Sequence, residues 1–375
     1  MGVLKSGDLR GFLKKVLRLL LAVVLIVVIA FAGLVAYLAV TEYKPADREE
    51  LGIDAGTVQK SLKSGDELSI LTWNIGYGAL GDNADFFMDG GKGVQTAEED
   101  RVHANLTHAA AAMSGLDPDV IFLQEIDQSS KRSYFLNEVE YVKNTLSAVL
   151  GDYDSTFANN FKVAFLPYPI PPIGKVDSGI ATLSAYPIDE AERYKLPCPF
   201  KWPVRMANLK RCLMVDRVSV TDEQGNDTGK DLVLVNLHLE AYDSGEGKIA
   251  QTNMLRQILQ DEADKGNYVI AGGDFNQTFS GTDDSMYPEY EGKWHCGEID
   301  ESEFDDSWQF VMDNRLPTCR SLDRPYAGTD HDDFQYYVID GFIVSSNVTV
   351  ESIKTQNYDF VYSDHNPVLM KVKLD

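Results

Sequence analysis

The sequence predicts an α/β or α+β sandwich preceded by one N-terminal transmembrane helix, and three observations carry that reading. Residues 19–40 (LLLAVVLIVVIAFAGLVAYLAV) run for 22 residues without a charge. Short Val- and Ile-rich runs recur through the rest of the chain, as buried strands do. Longer stretches between those runs read as helices. The 375 residues are 44% hydrophobic and 25% charged, which is ordinary globular composition and excludes a disordered chain.

About 20 apolar helical residues cross a bilayer core, and 19–40 has no polar stripe that would lay it on a surface. Lys5, Arg10, Lys14, Lys15 and Arg18 precede it against Asp8 alone. The positive-inside bias therefore puts residues 1–18 in the cytoplasm as a basic segment and everything after Val40 outside, at the cell membrane. Ala30-Phe31-Ala32 has the small-x-small look of a signal cleavage site. It lies inside an apolar run longer than a signal peptide usually has, so an uncleaved anchor is expected.

Residues 41–66 are polar, lack a sustained apolar period and read as a linker. Residues 67–375 read as one domain. Its expected strands are 68–73 (LSILTW), 120–123 (VIFL), 179–183 (GIATL), 232–239 (LVLVNLHL), 268–271 (YVIA), 338–344 (VIDGFIV) and 368–372 (VLMKV). The helices expected between them are 96–114, 138–150 and 248–263. The first opens on a capping-box pattern, Thr96 with Glu99.

The chain carries −24, and residues 1–40 hold five basic residues and one acidic, which leaves −28 for the rest. Such a charge opposes a broad basic surface that tracks nucleic acid by counterion release. Four Cys without a C-x-x-C pair exclude a zinc ribbon and a disulfide-dense mini-protein. In an oxidising place the shortest loops pair Cys198 with Cys212 and Cys296 with Cys319, free buried thiols being the alternative. N-x-[ST] triplets start at Asn105, Asn226, Asn276 and Asn347. A glycan on Asn276 would block the site derived next, which leans toward a bacterial source.

Polar residues stand repeatedly where the strands end. Asn74 follows LTW, Glu125 follows IFLQ, His238 interrupts LVNLHLE and Asp340 interrupts VIDGF. Asp274 and Asn276 lie in GGDFN, and Asp364 and His365 precede Asn366-Pro367. One such residue is ordinarily a turn or cap; six such events, with strand ends gathered at one edge, converge on a cleft. The residue types suit metal-assisted phosphoester hydrolysis. A hard divalent cation takes oxygen ligands from Glu125 with Asn74 or Asp364. Asp274 orients or deprotonates a water, and Asn276 donates to a phosphoryl oxygen. A His held by a carboxylate is fixed in one tautomer, and Asp340 is the partner expected for His365.

In that order LTWNI, DVIFLQE, LVNLHLE, GGDFN, YYVIDGFIV and SDHNPV strongly resemble the endonuclease/exonuclease/phosphatase family, over roughly residues 68–374. The resemblance implies a four-layer α/β/β/α sandwich of two stacked mixed sheets. It implies a Mg²⁺-dependent site at one edge, with Mn²⁺ or Ca²⁺ as substitutes. Carried over by position, Glu125 is the principal metal ligand, with Asn74 beside the metal and Asp364 near a second metal position. Asp274 activates the water, Asn276 orients it, and Asp340 pairs with His365. His238 matches a second catalytic histidine of the deoxyribonuclease and sphingomyelinase branches. The AP-endonuclease branch has Tyr at that position and a carboxylate two residues after the Asn. This chain has His238 and Gly76 there, which speaks against AP-site repair.

His103, His108, His295 and His331 are given no role. Residues 161–178 are Pro-rich and apolar, and read as an ordered loop. Residues 196–211 mix Phe200 and Trp202 with Lys201, Arg205, Lys210 and Arg211, suited to gripping phosphate or touching headgroups, or else to edge packing of the sandwich. The expectation is a membrane-anchored, extracytoplasmic phosphoesterase with no obligate protein partner, its substrate a lipid or envelope phosphodiester ahead of nucleic acid. The alternatives are an extracellular nuclease of the deoxyribonuclease type and a non-catalytic binding protein on the same fold.

Overall fold

Each apolar run becomes a strand because alternate residues can be buried on both faces of a covered sheet. The computed structural model describes residues 6–58, 60–243 and 245–375. Helix α1 (Ser6–Thr41) leads into β1 (Arg48–Glu50), β2 (Ile53–Asp54), β3 (Leu62–Lys63) and β4 (Glu67–Asn74). Then come α2 (Glu99–Leu116), β5 (Val120–Asp127), α3 (Glu138–Leu150), β6 (Asp154–Leu166), β7 (Gly174–Ser184), β8 (Glu190–Lys195), β9 (Cys212–Thr221) and β10 (Asp227–His238). After α4 (Glu246–Ala263) lie β11 (Tyr268–Asp274), β12 (Gln277–Phe279), β13 (Gly297–Ile299), β14 (Trp308–Val311), β15 (Cys319–Arg320) and β16 (Tyr336–Tyr337). The chain ends with β17 (Asp340–Ser345), β18 (Val348–Thr355) and β19 (Val368–Leu374).

Two mixed sheets stack. One runs β18-β19-β4-β5-β7-β6-β2, the other β1-β8-β9-β10-β11-β17-β14, with β3 added beside β9. Ile70, Phe122, Leu234, Ile270 and Phe342 fill the space between them. The neighbouring residues Leu71 and Leu123 face the other way, onto Leu106 of α2 and Val142 of α3. Val233 and Val269 meet Leu255 and Leu259 of α4 on the far side. The layers are therefore α/β/β/α, and every expected strand overlaps an observed one, with 232–239 running one residue past β10 and 338–344 starting two residues before β17. Among the described residues, α1 is the helix long and apolar enough to cross a membrane, with a candidate span Arg10–Thr41 of mean hydropathy 3.3 in its most apolar window. Those properties fit an anchor or a signal sequence.

Three expectations are corrected. Residues 41–66 do not form a free linker: β1 pairs with β8, β2 with β6 and β3 with β9, so this segment is stitched to both sheets. Thr96 does not cap α2, because its hydroxyl donates to the Ala79 carbonyl at 2.9 Å and the helix begins at Glu99. The four cysteines are free. Cys198 Sγ points to the Leu209 carbonyl and Cys212 Sγ to the Asn159 carbonyl, so the two thiols face different backbone groups.

Candidate active site

Register builds the site. Parallel pairing sets His238, at the end of β10, opposite Asp274 of β11; antiparallel pairing sets Asp274 opposite Asp340 of β17. Directly paired residues share a sheet face, so the three side chains stand in a row. Gly273 is required beside them, since it has a φ of +149° and a Cβ there would fall 2.0 Å from the Leu237 carbonyl oxygen.

The facing sheet supplies the second half. Asn74 ends β4, and Glu125 sits in β5 at a bulge, where the register with β7 shifts between Leu123 and Ile126. Its φ of +50° is the left-handed conformation by which a bulge re-aims a strand side chain. One residue earlier, Gln124 Nε2 donates to Asn236 Oδ1 at 2.8 Å, from one sheet to the other. Asn236 lies two residues before His238, so this buried bond fixes the gap between the two halves. The loop carrying Asp364 and His365 is held by Trp73 Nε1 on the His365 carbonyl (2.9 Å) and Ser363 Oγ on the Asn74 carbonyl (2.7 Å).

All eight residues singled out in the sequence come together. Asn74 Nδ2 donates to Asp274 Oδ2 at 3.0 Å and to Glu125 Oε1 at 3.3 Å. Asp274 Oδ1 accepts the Asn276 backbone N–H at 2.9 Å, while the Asn276 amide donates to the Leu239 carbonyl at 2.9 Å. His365 Nδ1 lies 2.8 Å from Asp340 Oδ2, and its Nε2 lies 3.8 Å from Asp274 Oδ2. His238 Nε2 reaches the same oxygen at 3.4 Å. Among the described residues, His238 Nδ1 and Asp340 Oδ1 are buried without a hydrogen-bond partner. Gly76 leaves the carboxylate of Asp364 room, for a Cβ on it would lie 2.7 Å from Leu80 Cβ and 3.1 Å from Asp364 Oδ1.

Electrostatics separate the groups. Burial pushes the Asp274 carboxyl up to about 6, with His365 opposing and Asp340 adding to the rise. Burial and the neighbouring Glu125 likewise raise Asp364 to about 6, against the pull of His365. Burial, with Arg211 and His365 nearby, holds His238 well below its ordinary value. Burial also opposes charge on His365, but Asp340 and Cys319 outweigh it and raise that imidazole well above its ordinary value. Two histidines flank one carboxylate with opposite proton preferences. Ligand atoms of Asp274, Asp340 and His365 lie within 4.8 Å of one another, as do those of Cys319, Asp364 and His365. The oxygen donors Glu125 and Asp364 repel each other without a cation, so the donor set fits a hard divalent metal.

The site opens into a cavity of about 710 Å³. Its walls include residues that sequence reasoning missed. Arg132 forks onto Asp127 (2.9 and 3.1 Å) and lies 3.6 Å from the Tyr77 ring centroid. Tyr242 donates to Asp89 at 3.0 Å, and Asp89 is pushed up to about 7, chiefly by burial. Arg132 follows its partner Asp127 by five residues, but Tyr77 and, for Tyr242, Asp89 come from distant segments and leave no local signal. The other histidines are elsewhere: His103 meets Tyr141, His108 stacks on Tyr362, His295 pairs with Glu289 and His331 stacks on Tyr326.

Residues 71–365 match the Endonuclease/Exonuclease/phosphatase family. No curated protein sequence matches the chain. Among solved structures, an endonuclease/exonuclease/phosphatase from Beutenbergia cavernae is similar with a TM-score of 0.54 at 19% identity, over 82% of this chain and 72% of that one. A family protein from Leptotrichia buccalis gives 0.51 at 18% identity, over 82% and 100%. TDP2 of D. rerio, complexed with a single-strand DNA product, gives 0.50 at 15% identity, over 82% and 99%. At these identities the likeness is one of fold. Enzymes of this family typically depend on a divalent metal, and the acidic and histidine groups at this sheet edge are of the kind that binds one. By its matched span and its fold, the chain belongs to the endonuclease/exonuclease/phosphatase family of phosphoric ester hydrolases.

Proposed function

We propose that the protein hydrolyses a phosphodiester, or a phosphomonoester, at the outer face of a membrane to which α1 anchors it. The observation that carries this reading is the row His238–Asp274–Asp340 on three adjacent strands, with His365 closing it from the opposite side.

Asp274 is the water base. Its Oδ1 is fixed by the Asn276 N–H, and its Oδ2 faces both histidines, so a water beside Oδ2 is aligned and loses its proton there. A carboxyl near 6 is ionised at neutral pH yet basic enough to accept that proton. His365, cationic beside Asp340, donates from Nε2 to phosphoryl or leaving oxygen as negative charge grows. His238, neutral, completes the acid-base set. Glu125 and Asp364, with Asn74 beside them, would hold Mg²⁺, which when bound polarises the phosphoryl group and offsets its charge. The P–O bond to the leaving group breaks as the water oxygen bonds phosphorus, and the leaving oxygen takes the imidazolium proton.

A nuclease is the second reading, supported by the fold likeness to a TDP2 that holds a DNA product. The four cations on the cavity wall weigh against it, because carboxylates already engage three, Arg132 with Asp127, Arg211 with Glu240 and Lys293 with Asp323, and Arg320 donates to the Ser321 and Gly81 carbonyls. The test is turnover of bis(p-nitrophenyl) phosphate by the full chain in detergent. Turnover with Mg²⁺ that EDTA abolishes is expected; none on any phosphoester, with metal supplied, leaves only the non-catalytic binding protein.

A further inference from the structure

The cavity that begins at Asp274 and His365 ends at α1. Phe31, Leu34, Val35 and Leu38 line it, and their spacing puts them on one helical face. Between the two ends the wall includes Phe87, Leu166, Met206, Leu209 and Trp294. The helix is seated and does not swing free: Leu38 is buried, and Glu42, just past the helix end, lies 3.6 Å from Arg205 and 3.9 Å from Lys210.

Depth follows from helix geometry. Leu34 precedes Val40, the last residue of the apolar run, by six residues, or about 9 Å along the axis; Phe31 precedes it by about 14 Å. With residues 19–40 filling a hydrocarbon core of about 30 Å, the helix end of the cavity reaches acyl-chain depth. The loops beside it are built for that place. Between β6 and β7 the segment PYPIPPI carries no charge, and Pro167, Pro169, Pro171 and Pro172 remove four backbone donors that hydrocarbon could not satisfy. Tyr168 is 67% exposed, Ile170 92%, Trp202 62% and Val204 59%. Lys201 and Arg205 flank Trp202, the aromatic-basic pairing of a membrane interface.

We infer that the anchor helix is itself a wall of the substrate cleft, and that the substrate is a phosphodiester lipid of the bilayer α1 crosses, headgroup at Asp274 and His365, acyl chain along the Phe31–Leu38 face. This rests on the phosphoesterase reading and names its substrate class. A polymer such as DNA gains nothing from such a wall, whereas an acyl chain of the surrounding bilayer can lie against it while its headgroup enters the site, without crossing water.

Full-length protein in Mg²⁺-containing detergent micelles is given a dihexanoyl phosphodiester lipid, bis(p-nitrophenyl) phosphate and plasmid DNA. The lipid is expected to turn over at least about tenfold faster than the small diester, a gain equal to two buried methylenes. In the Tyr168→Asn/Val204→Asn double variant, which changes only exposed side chains, the lipid-to-small-diester ratio is expected to fall about tenfold. An unchanged ratio, or DNA as the fastest substrate, overturns the lipid assignment and leaves the phosphoesterase reading standing. Silence on all three substrates removes that reading, and this one with it. A measurement independent of turnover uses nanodiscs carrying lipids brominated on the acyl chain. Quenching in the wild type that falls in Trp202→Phe is expected, and equal quenching in both places the loops outside the bilayer and overturns the inference.

Discussion

The two oxygens of Asp274 have different surroundings. One is held by the Asn276 backbone, while the other meets Asn74, His238 and His365. An Asp274→Asn change keeps the shape and removes the base, so turnover should fall by about 10²–10⁴. The thermal midpoint should move by no more than a few degrees, because no core apolar contact is lost. Full activity in that variant, in parallel assays with the wild type, would put the water base elsewhere. At this scale the sequence was informative where chemistry and a strand end coincide, as in GGDFN and SDHNP. It was silent on Arg132, which Asp127 five residues earlier holds against Tyr77 and Ser178 from two distant segments.

Between elements, buried polar ties matter as much as apolar packing. Arg217 on β9 makes two bonds, 2.7 and 2.8 Å, to Glu262 near the end of α4; Lys265 and Asn267 add theirs at 2.8 and 3.0 Å. Burial opposes the Glu262 carboxylate, yet these donors win and bring its carboxyl from 4.5 down to about 2. A carboxyl lowered on folding stabilises the native state fully above its unfolded value of 4.5, and that contribution is lost as pH falls toward 2. Solvent screening of this half-buried network holds its size to about 1–2 kcal/mol. Glu262→Gln should therefore be less stable than wild type by about that much in denaturant unfolding at pH 7, with the gap closing near pH 2. A gap independent of pH would assign the loss to packing. The long strands were readable because burial on both faces demands unbroken Val and Ile. Strands β1 to β3 were not, since two- and three-residue edge pairs need no apolar period and their polar letters look like a linker. Thr96 misled for a related reason: a capping pattern records what a side chain offers, and the Ala79 carbonyl took it first.

At the scale of the whole molecule, the proposed topology rests on the first helix and the basic residues before it. A reporter fused after Asp375 should be active outside the cytoplasm, and protease added to intact spheroplasts should remove the domain. Survival of the domain under that protease would reverse the orientation. The stitching of residues 48–63 onto both sheets has a further consequence for how substrate is met. A flexible tether of 26 residues would let the domain wander about 28 Å from the helix end. Here the stretch from the end of α1 to β1 is only residues 42–47, and Glu42 is pinned within it. With α1 in a bilayer, the domain has no leash to pay out. For the proposed lipid substrate its search would then be two-dimensional, so the rate of encounter would follow the number of substrate molecules per unit area of membrane and be indifferent to the volume in which the cells are suspended.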